Sequence, residues 1–191
     1  LEKYDIKATV FLTSDYVDKD ELFWFDEVFE LVKASSVRQV SIQFGEGKEF
    51  YDLSKNNSRV QFVLRLLGIV KHIKPAERKE YLAQLKSLLE VKSIDCPSKR
   101  ILSWDETKKL FASGMEIGSH GKSHTILTVL NAYEIDSEVK ESKMVIEQHI
   151  GVPVTIFSYP NGKEEDFNDL IVSKLYHAGY KGACMNILGG N

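Results

Sequence analysis

The sequence predicts an α/β protein built around a parallel sheet. Short apolar, β-rich runs alternate along the chain with segments whose apolar residues recur at helical spacing. Gly114, Gly151 and Gly179 each follow a predicted helix and precede a predicted strand, where glycine commonly ends a helix. In such folds ligands bind where strands run into the following loops, so we expect a functional site at that edge.

The chain opens on one strand and one amphipathic helix. Residues 1–5 are typical of a helix end, and residues 7–13 are predicted as a buried strand. Residues 22–34 are predicted as a helix, and their apolar face comprises Leu22, Phe25, Val28, Phe29 and Val32. Within this helix Trp24 and Phe25 are predicted as core residues, with the alternative that they cap a substrate groove.

The next stretch interrupts the simple strand–helix rhythm. Residues 37–44 alternate in polarity, and Glu46-Gly47 can turn them back into residues 49–53, which predicts a hairpin. Two helices follow at residues 57–73 and 75–91, separated at Pro75, which suits the first turn of a helix. We therefore expect a single partial domain over residues 1–191, with a mostly helical insertion at about 37–95.

After the insertion the alternation of helix and strand resumes. Ser103 with Glu106 forms a capping box in front of a helix at residues 104–112. The later elements are strands at 115–118, 154–157 and 181–185 and helices at 133–149 and 166–178.

Composition excludes several function classes. A 191-residue chain with 43% hydrophobic and 28% charged residues is an ordinary globular protein. Its formal net charge of −3 gives no basis for nucleic acid binding.

No apolar run approaches the length of a bilayer span, and no signal peptide is present, which leaves the location open between cytoplasm and cell envelope. Cys96 and Cys184 are predicted as buried thiols, with one disulfide as the alternative.

Two histidines four residues apart are the most informative feature. His120 and His124 follow a predicted strand and enclose a Gly- and Ser-containing turn. In a helical turn this spacing would bring both imidazoles to one side, and imidazole is a common zinc ligand. The alternative is two unrelated surface or core histidines. The other three histidines, His72, His149 and His177, are predicted as helix-face residues.

Polar loops follow three of the predicted strands. They are Thr13-Ser14, residues 119–124 and residues 158–162. If the strands are parallel neighbours, these loops converge on one face of the sheet. The last of them contains Tyr159-Pro160-Asn161-Gly162, which by itself is typical of an ordinary turn.

The order of these motifs resembles the polysaccharide deacetylase family, carbohydrate esterase family four. The matching segments are residues 6–12, 102–106, 116–124, 157–162 and 179–180. The resemblance implies a distorted, incomplete (β/α) barrel. It also implies a metal-dependent hydrolase that removes acetyl groups from N-acetylated or O-acetylated sugars of a polysaccharide. Such an enzyme is a carbohydrate deacetylase acting on non-peptide carbon–nitrogen bonds, with an acetylated polysaccharide or oligosaccharide as its partner.

The resemblance assigns roles to five residues. It implies that His120 and His124 bind a divalent metal, zinc first, with cobalt or nickel as alternatives. The backbone N–H of Asn161 is expected to stabilise the oxyanion. Tyr159 and Pro160 are expected to contact the sugar.

The chain also departs from the family pattern. The family's third metal ligand and its catalytic base are adjacent aspartates on a strand that precedes the segment matched by residues 6–12. Asp15 and Asp18 follow that segment and so do not match them, and Gly121 replaces the family's usual hydroxyl residue. We therefore expect weak or no activity from the chain alone. A non-catalytic carbohydrate-binding relative and a structural fragment whose histidines bind no metal tightly are the alternatives.

Overall fold

The chain divides into two compact units, each with its own hydrophobic core. The computed structural model describes residue 4 and residues 6–44, 47–94 and 101–186. One unit comprises residues 1–21 and 100–191, and the other comprises residues 22–99. The sequence predicts that the insertion starts at about residue 37, after the first helix. That helix belongs to the second unit, because its apolar face packs into that unit's core. Whether residues 37–95 are an insertion stays a prediction.

The regular elements follow the predicted alternation. In chain order the strands are β1 (Thr9–Leu12), β2 (Gln39–Phe44), β3 (Gly47–Asp52), β4 (Glu116–Ser119), β5 (Ile156–Ser158) and β6 (Gly182–Cys184). The helices are α1 (Trp24–Ala34), α2 (Asn56–Val70), α3 (Pro75–Leu88), α4 (Trp104–Ala112), α5 (Ala132–Asp136), α6 (Ser142–Ile150) and α7 (Asp169–His177). A π-helical turn, Ser137–Glu141, joins α5 to α6.

The first unit is built on a parallel sheet, as the sequence predicts. Its strand order is β1-β4-β5-β6. Leu12 pairs with Ser119, and Ser119 pairs in turn with Phe157. The carboxyl ends of β1, β4 and β5 therefore lie side by side, and the loops that follow them share one edge of the sheet.

The helical stretch from α5 to α6 covers one face of this sheet. It begins at Asn131, whose side chain accepts the N–H groups of Tyr133 and Glu134, and it ends at Gly151 with φ of +77°. Its buried face comprises Ile135, Glu138, Val139, Ser142 and Ile146. Four of these side chains are small or apolar, so a carboxylate among them is unexpected.

The second unit packs three helices and a hairpin around an apolar core. β2 and β3 form the predicted antiparallel hairpin, with Val40 opposite Tyr51. Trp24 is 8% exposed and lies in this core, and the guanidinium carbon of Arg78 is 5.1 Å from the centroid of its ring. The prediction that Trp24 is a core residue is confirmed.

The predicted start of the last helix and the predicted burial of Cys184 are both wrong. The helix expected at residues 166–178 begins at Asp169, because the side chain of Asn168 accepts the N–H of Ile171 at 3.1 Å and caps it there. Cys184 is exposed on the edge strand β6, not buried. The predictions for Cys96, for Glu46 and for most of residues 1–5 lie outside the described residues. Among the described helices, none has both the length and the hydropathy that crossing a bilayer requires.

Candidate metal centre

His120 and His124 lie in the loop that follows β4. The backbone N–H of His120 donates to the carbonyl of Leu12 at 2.8 Å, which ties the loop to β1. The centroids of the two imidazole rings are 4.8 Å apart, and the rings lie at 84° to each other. No helix brings them together, since His124 has φ of +57° in the left-handed region. The helical arrangement considered from the sequence is wrong, but a turn brings the pair together.

His120 has a defined protonation state. Its Nδ1 lies 2.7 Å from the carbonyl oxygen of Ser158. A carbonyl oxygen only accepts, so Nδ1 carries the proton and donates it. Burial lowers the pKa of His120, and the hydrogen bond to Ser158 opposes this effect only in part. The imidazole is therefore neutral near pH 7, and Nε2 keeps the lone pair that a metal requires.

A buried carboxylate holds the turn between the two histidines. Glu138 is 7% exposed and lies in the π-helical turn. One of its oxygens accepts the backbone N–H of Lys122 at 2.8 Å and that of Ser123 at 3.0 Å. The other oxygen accepts the hydroxyl of Ser123. Gly121, at φ of +79°, gives this carboxylate room, because a Cβ there would lie 3.2 Å from its oxygen.

The loop after β1 is attached to the same turn. The N–H of Ser14 donates to Gly121 at 3.2 Å, and the N–H of Asp15 donates to Lys122 at 3.0 Å. Burial raises the pKa of Asp15, while the ammonium of Lys122 acts to lower it. Lys122 also forms an ion pair of 2.6 Å with Glu141. The loops after β1 and β4 thus form one hydrogen-bonded cluster.

Two fully buried hydroxyls fasten the helix to β4. The Oγ atoms of Ser119 and Ser142 are 2.9 Å apart, and that of Ser119 accepts the N–H of Gly121 at 3.2 Å. The hydroxyl of Tyr180 donates to the carbonyl of Val139 at 3.1 Å, and burial raises the pKa of this tyrosine to about 12. These bonds fix the helix that carries Glu138 relative to the histidine loop.

The loop after β5 forms a tight turn. Asn161 has φ of +64°, and its side-chain amide donates to the carboxylate of Asp166. The same carboxylate oxygen accepts the N–H of Lys163 at 3.0 Å. A Cβ at Gly162 would lie 2.9 Å from the backbone nitrogen of Asn186, so only glycine fits there. The bond from His120 to Ser158 joins this loop to the other two, as predicted from the sequence.

Tyr159 and Pro160 are more deeply buried than residues of a sugar-binding surface are expected to be. Both are buried, and the ring of Tyr159 stacks on Phe167 with centroids 4.5 Å apart at 11°. Burial raises the pKa of Tyr159, consistent with a ring in the core of the unit. Contact of these two residues with a sugar stays a prediction, and the packing assigns the Tyr159 ring a structural role in any case.

The residues present fit two positions of a metal site. His120 offers Nε2 in the correct tautomer, and His124 lies beside it. Within the described ranges, however, no group of three or more His, Cys, Asp and Glu side chains is arranged to hold an ion. A metal at this pair would need further donors from outside that set.

The two buried carboxylates that shape the site, Glu138 and Asp166, are not among the site residues predicted from the sequence. Glu138 could have been found, because it falls at helical spacing between Ile135 and Ser142 on a face that is otherwise buried. A carboxylate on such a face needs hydrogen-bond donors. Asp166 gives no such signal, since it follows two other acidic residues at the predicted start of a helix, where acidic side chains are common.

The family follows from comparison with known proteins. The polysaccharide deacetylase family model matches residues 1–183. The chain belongs to this family. Its fold is accordingly the distorted, incomplete (β/α) barrel of polysaccharide deacetylases, and carbohydrate deacetylation is the general activity of the family. No curated protein matches the chain.

Several solved deacetylase structures are similar to this chain. A Streptococcus pyogenes deacetylase in complex with acetate is 22% identical over 44% of this chain and 36% of its own, with a TM-score of 0.41. A family 4 carbohydrate esterase of Streptomyces lividans, also with acetate, is 20% identical over 44% of this chain and 42% of its own, with a TM-score of 0.40. A de-N-acetylase of Aggregatibacter actinomycetemcomitans is 13% identical over 96% of this chain and 54% of its own, with a TM-score of 0.45.

Proposed function

We propose that the chain is part of a metal-dependent hydrolase that removes acetyl groups from N-acetylated or O-acetylated sugars of a polysaccharide. One observation carries the proposal. The Nδ1–H of His120 is bound to Ser158, so that its Nε2 is left for a metal beside the ring of His124. Membership of the polysaccharide deacetylase family supports the class of reaction and of substrate.

His120 and His124 would hold a divalent cation, zinc in first place and cobalt or nickel as alternatives. When bound, such an ion supplies polarisation of the acetyl carbonyl and acidification of a water. The chain's own residues prepare this site. Ser158 holds the tautomer of His120, and the turn at Asn161 would present its backbone N–H to the developing oxyanion. Tyr159 and Pro160 would form the wall of the sugar site next to this turn.

A second candidate is a carbohydrate-binding relative without catalysis. It is favoured by the absence, within the described part of the chain, of a third His, Cys, Asp or Glu arranged to hold an ion together with the pair. The same observation is the reason to expect weak or no hydrolysis by the chain alone. A site with two imidazoles and no carboxylate base would bind an ion weakly and would lack a proton acceptor.

Zinc binding tests the proposal. The affinity of the wild-type chain for Zn²⁺ should fall by roughly 100-fold or more in His120→Ala and in His124→Ala, because lost ligands cost more than the 10–100-fold typical of supporting residues. His177→Ala is the matched control, since His177 is an exposed histidine of the same unit whose Nδ1 bonds to Ser173. Equal Zn²⁺ affinity in all four proteins would refute the proposed site.

Acetate release separates the two candidates. The chain is incubated with an oligomer of N-acetylglucosamine and Zn²⁺, and released acetate and bound oligomer are measured separately. Release that EDTA stops and that His120→Ala abolishes supports the hydrolase. Oligomer binding without release supports the non-catalytic relative.

A further inference from the structure

Glu138 is the buried charged group most closely connected to the histidine loop, yet the proposed chemistry does not use it. Its carboxylate accepts three bonds from residues 122–123, two from backbone N–H groups and one from a hydroxyl. A carboxylate that is 7% exposed on a buried helix face is costly, and these bonds offset that cost. All three donors lie between the two histidines.

The conformation of the loop explains why it needs a hydrogen-bond acceptor from another part of the chain. Gly121 and His124 both have positive φ, at +79° and +57°. Between them the consecutive N–H groups of Lys122 and Ser123 point at a single oxygen of Glu138. Successive N–H groups in such a turn form a concave site for an anion. Here the chain supplies the anion itself, so the carboxylate stabilises the turn that positions His124.

The helix gives this carboxylate a rigid base. Ser142, on the next turn, forms a hydrogen bond with Ser119 of β4 through its hydroxyl. The hydroxyl of Tyr180 donates to the carbonyl of Val139, the residue that follows Glu138. Glu141 adds an ion pair to Lys122 at the other side of the same loop. The position of Glu138 is therefore also fixed by bonds of its helical stretch to β4 and to Tyr180, which do not involve the loop that it holds.

We propose that Glu138 is a positioning residue for the metal site: its carboxylate fixes the turn at residues 121–124 and so directs the imidazole of His124 toward the cation held with His120. This inference rests on the proposed metal site. It assigns Glu138 no contact with substrate or metal.

The test compares two glutamates of the same helical stretch. Glu147 also accepts a backbone N–H, that of Val154 at 2.8 Å, and pairs with Lys143 at 2.8 Å, but it supports a loop without a metal histidine. Zn²⁺ affinity and melting temperature are measured for wild type, Glu138→Ala and Glu147→Ala. We expect Glu138→Ala to weaken Zn²⁺ binding by about 10–100-fold and Glu147→Ala to change it by less than about twofold. Both variants should lose thermal stability.

Two conservative variants keep the proposal testable if Glu138→Ala does not fold. In Glu138→Gln the amide oxygen can still accept both N–H groups, so most of the Zn²⁺ affinity should return. In Glu138→Asp the acceptor is withdrawn by one methylene, so affinity should stay low although the charge is kept. The reverse order of affinities would show that charge, not geometry, is what matters, and would overturn the positioning role.

The outcomes distinguish this inference from the function on which it rests. If Glu138→Ala binds Zn²⁺ as wild type does while His120→Ala does not, the positioning role is wrong and the metal site stands. If Glu138→Ala does not fold, the same conclusion follows when Glu138→Gln and Glu138→Asp both bind Zn²⁺ as wild type does. If the histidine variants also bind as wild type does, both are wrong.

Discussion

Two residues in the left-handed region mark the candidate site at the residue scale. His124 and Asn161 have φ of +57° and +64°, and neither is a glycine. Each lies in a loop held by a buried carboxylate, Glu138 for the first and Asp166 for the second. Backbone strain of this kind persists where surrounding bonds enforce it, and it is frequent in functional sites.

Substitution of Asn161 should separate the role of its backbone from that of its side chain. Asn161→Ala and Asn161→Gly both lose the amide that bonds to Asp166, but only alanine also meets the left-handed penalty. We expect the alanine variant to be less stable than the glycine variant by about 1–2 kcal/mol. Urea unfolding of the two proteins measures this difference. Equal stabilities would mean that the turn relaxes out of the left-handed region.

The metal-binding side chains of the candidate site could be predicted from the sequence. The hydrogen bonds that hold them in position could not. The histidine pair stands out in the sequence because of its spacing after a strand. The tautomer of His120 depends on the carbonyl of Ser158, and the turn before His124 depends on Glu138. The carbonyl of Ser158 leaves no local signal in the sequence, and Glu138 is indicated only by its helical spacing on a buried face. The buried position of Tyr159 was missed because its stacking partner Phe167 lies in a loop.

At the element scale, the ends of a helix could be predicted where the sequence contains an unambiguous capping motif. Ser103 and Glu106 form the expected capping box, and α4 has the bounds predicted from the sequence. α7 begins three residues later than predicted, because Asn168 caps it while Asp166 bonds to the turn at Asn161. The π-helical turn was not predicted, since no local residue type distinguishes it from the α-helix around it.

The contact of α5 with α7 predicts a pH-dependent stability. Lys140 and Lys174 hold the pKa of Asp136 below its ordinary value of 3.8. A carboxylate whose pKa is lowered by folding stabilises the protein above its unfolded pKa, and this contribution is lost as pH falls through the lower folded pKa. Asp136→Asn should therefore be less stable than wild type at pH 7, and the difference should shrink below about pH 4.

Denaturant unfolding at pH 7 and pH 3 measures this difference. The absolute stability of both proteins will change with pH for other reasons, so the comparison between wild type and Asp136→Asn is the quantity of interest. A gap that stays constant between the two pH values would contradict the role of the ion pairs.

On the scale of the whole molecule, the two units have separate apolar cores. Phe62, fully buried against Tyr51 with ring centroids 4.9 Å apart, lies in the core of residues 22–99. Phe62→Ala should lower the stability of that unit by about 3–5 kcal/mol. Because the histidine pair belongs to the other unit, its Zn²⁺ affinity should change by less than about twofold in this variant. Circular dichroism and zinc titration measure the two effects.

A tenfold loss of Zn²⁺ affinity in Phe62→Ala would show that the units are coupled.

The α/β class and the parallel sheet of the first unit were predictable from the alternation of elements. The boundary between the units was not, because the apolar face of α1 does not reveal in the sequence which core it joins.

The chain's two tryptophans fall one in each unit, with Trp24 in the second and Trp104 in the first. Trp104 lies flat against the imidazole of His149, with ring centroids 3.8 Å apart at 2°. Separation of α4 from α6 would expose its half-buried ring to water and so change its emission. A single fluorescence experiment on Trp24→Phe or Trp104→Phe would then follow the melting of one half of the molecule without any added dye.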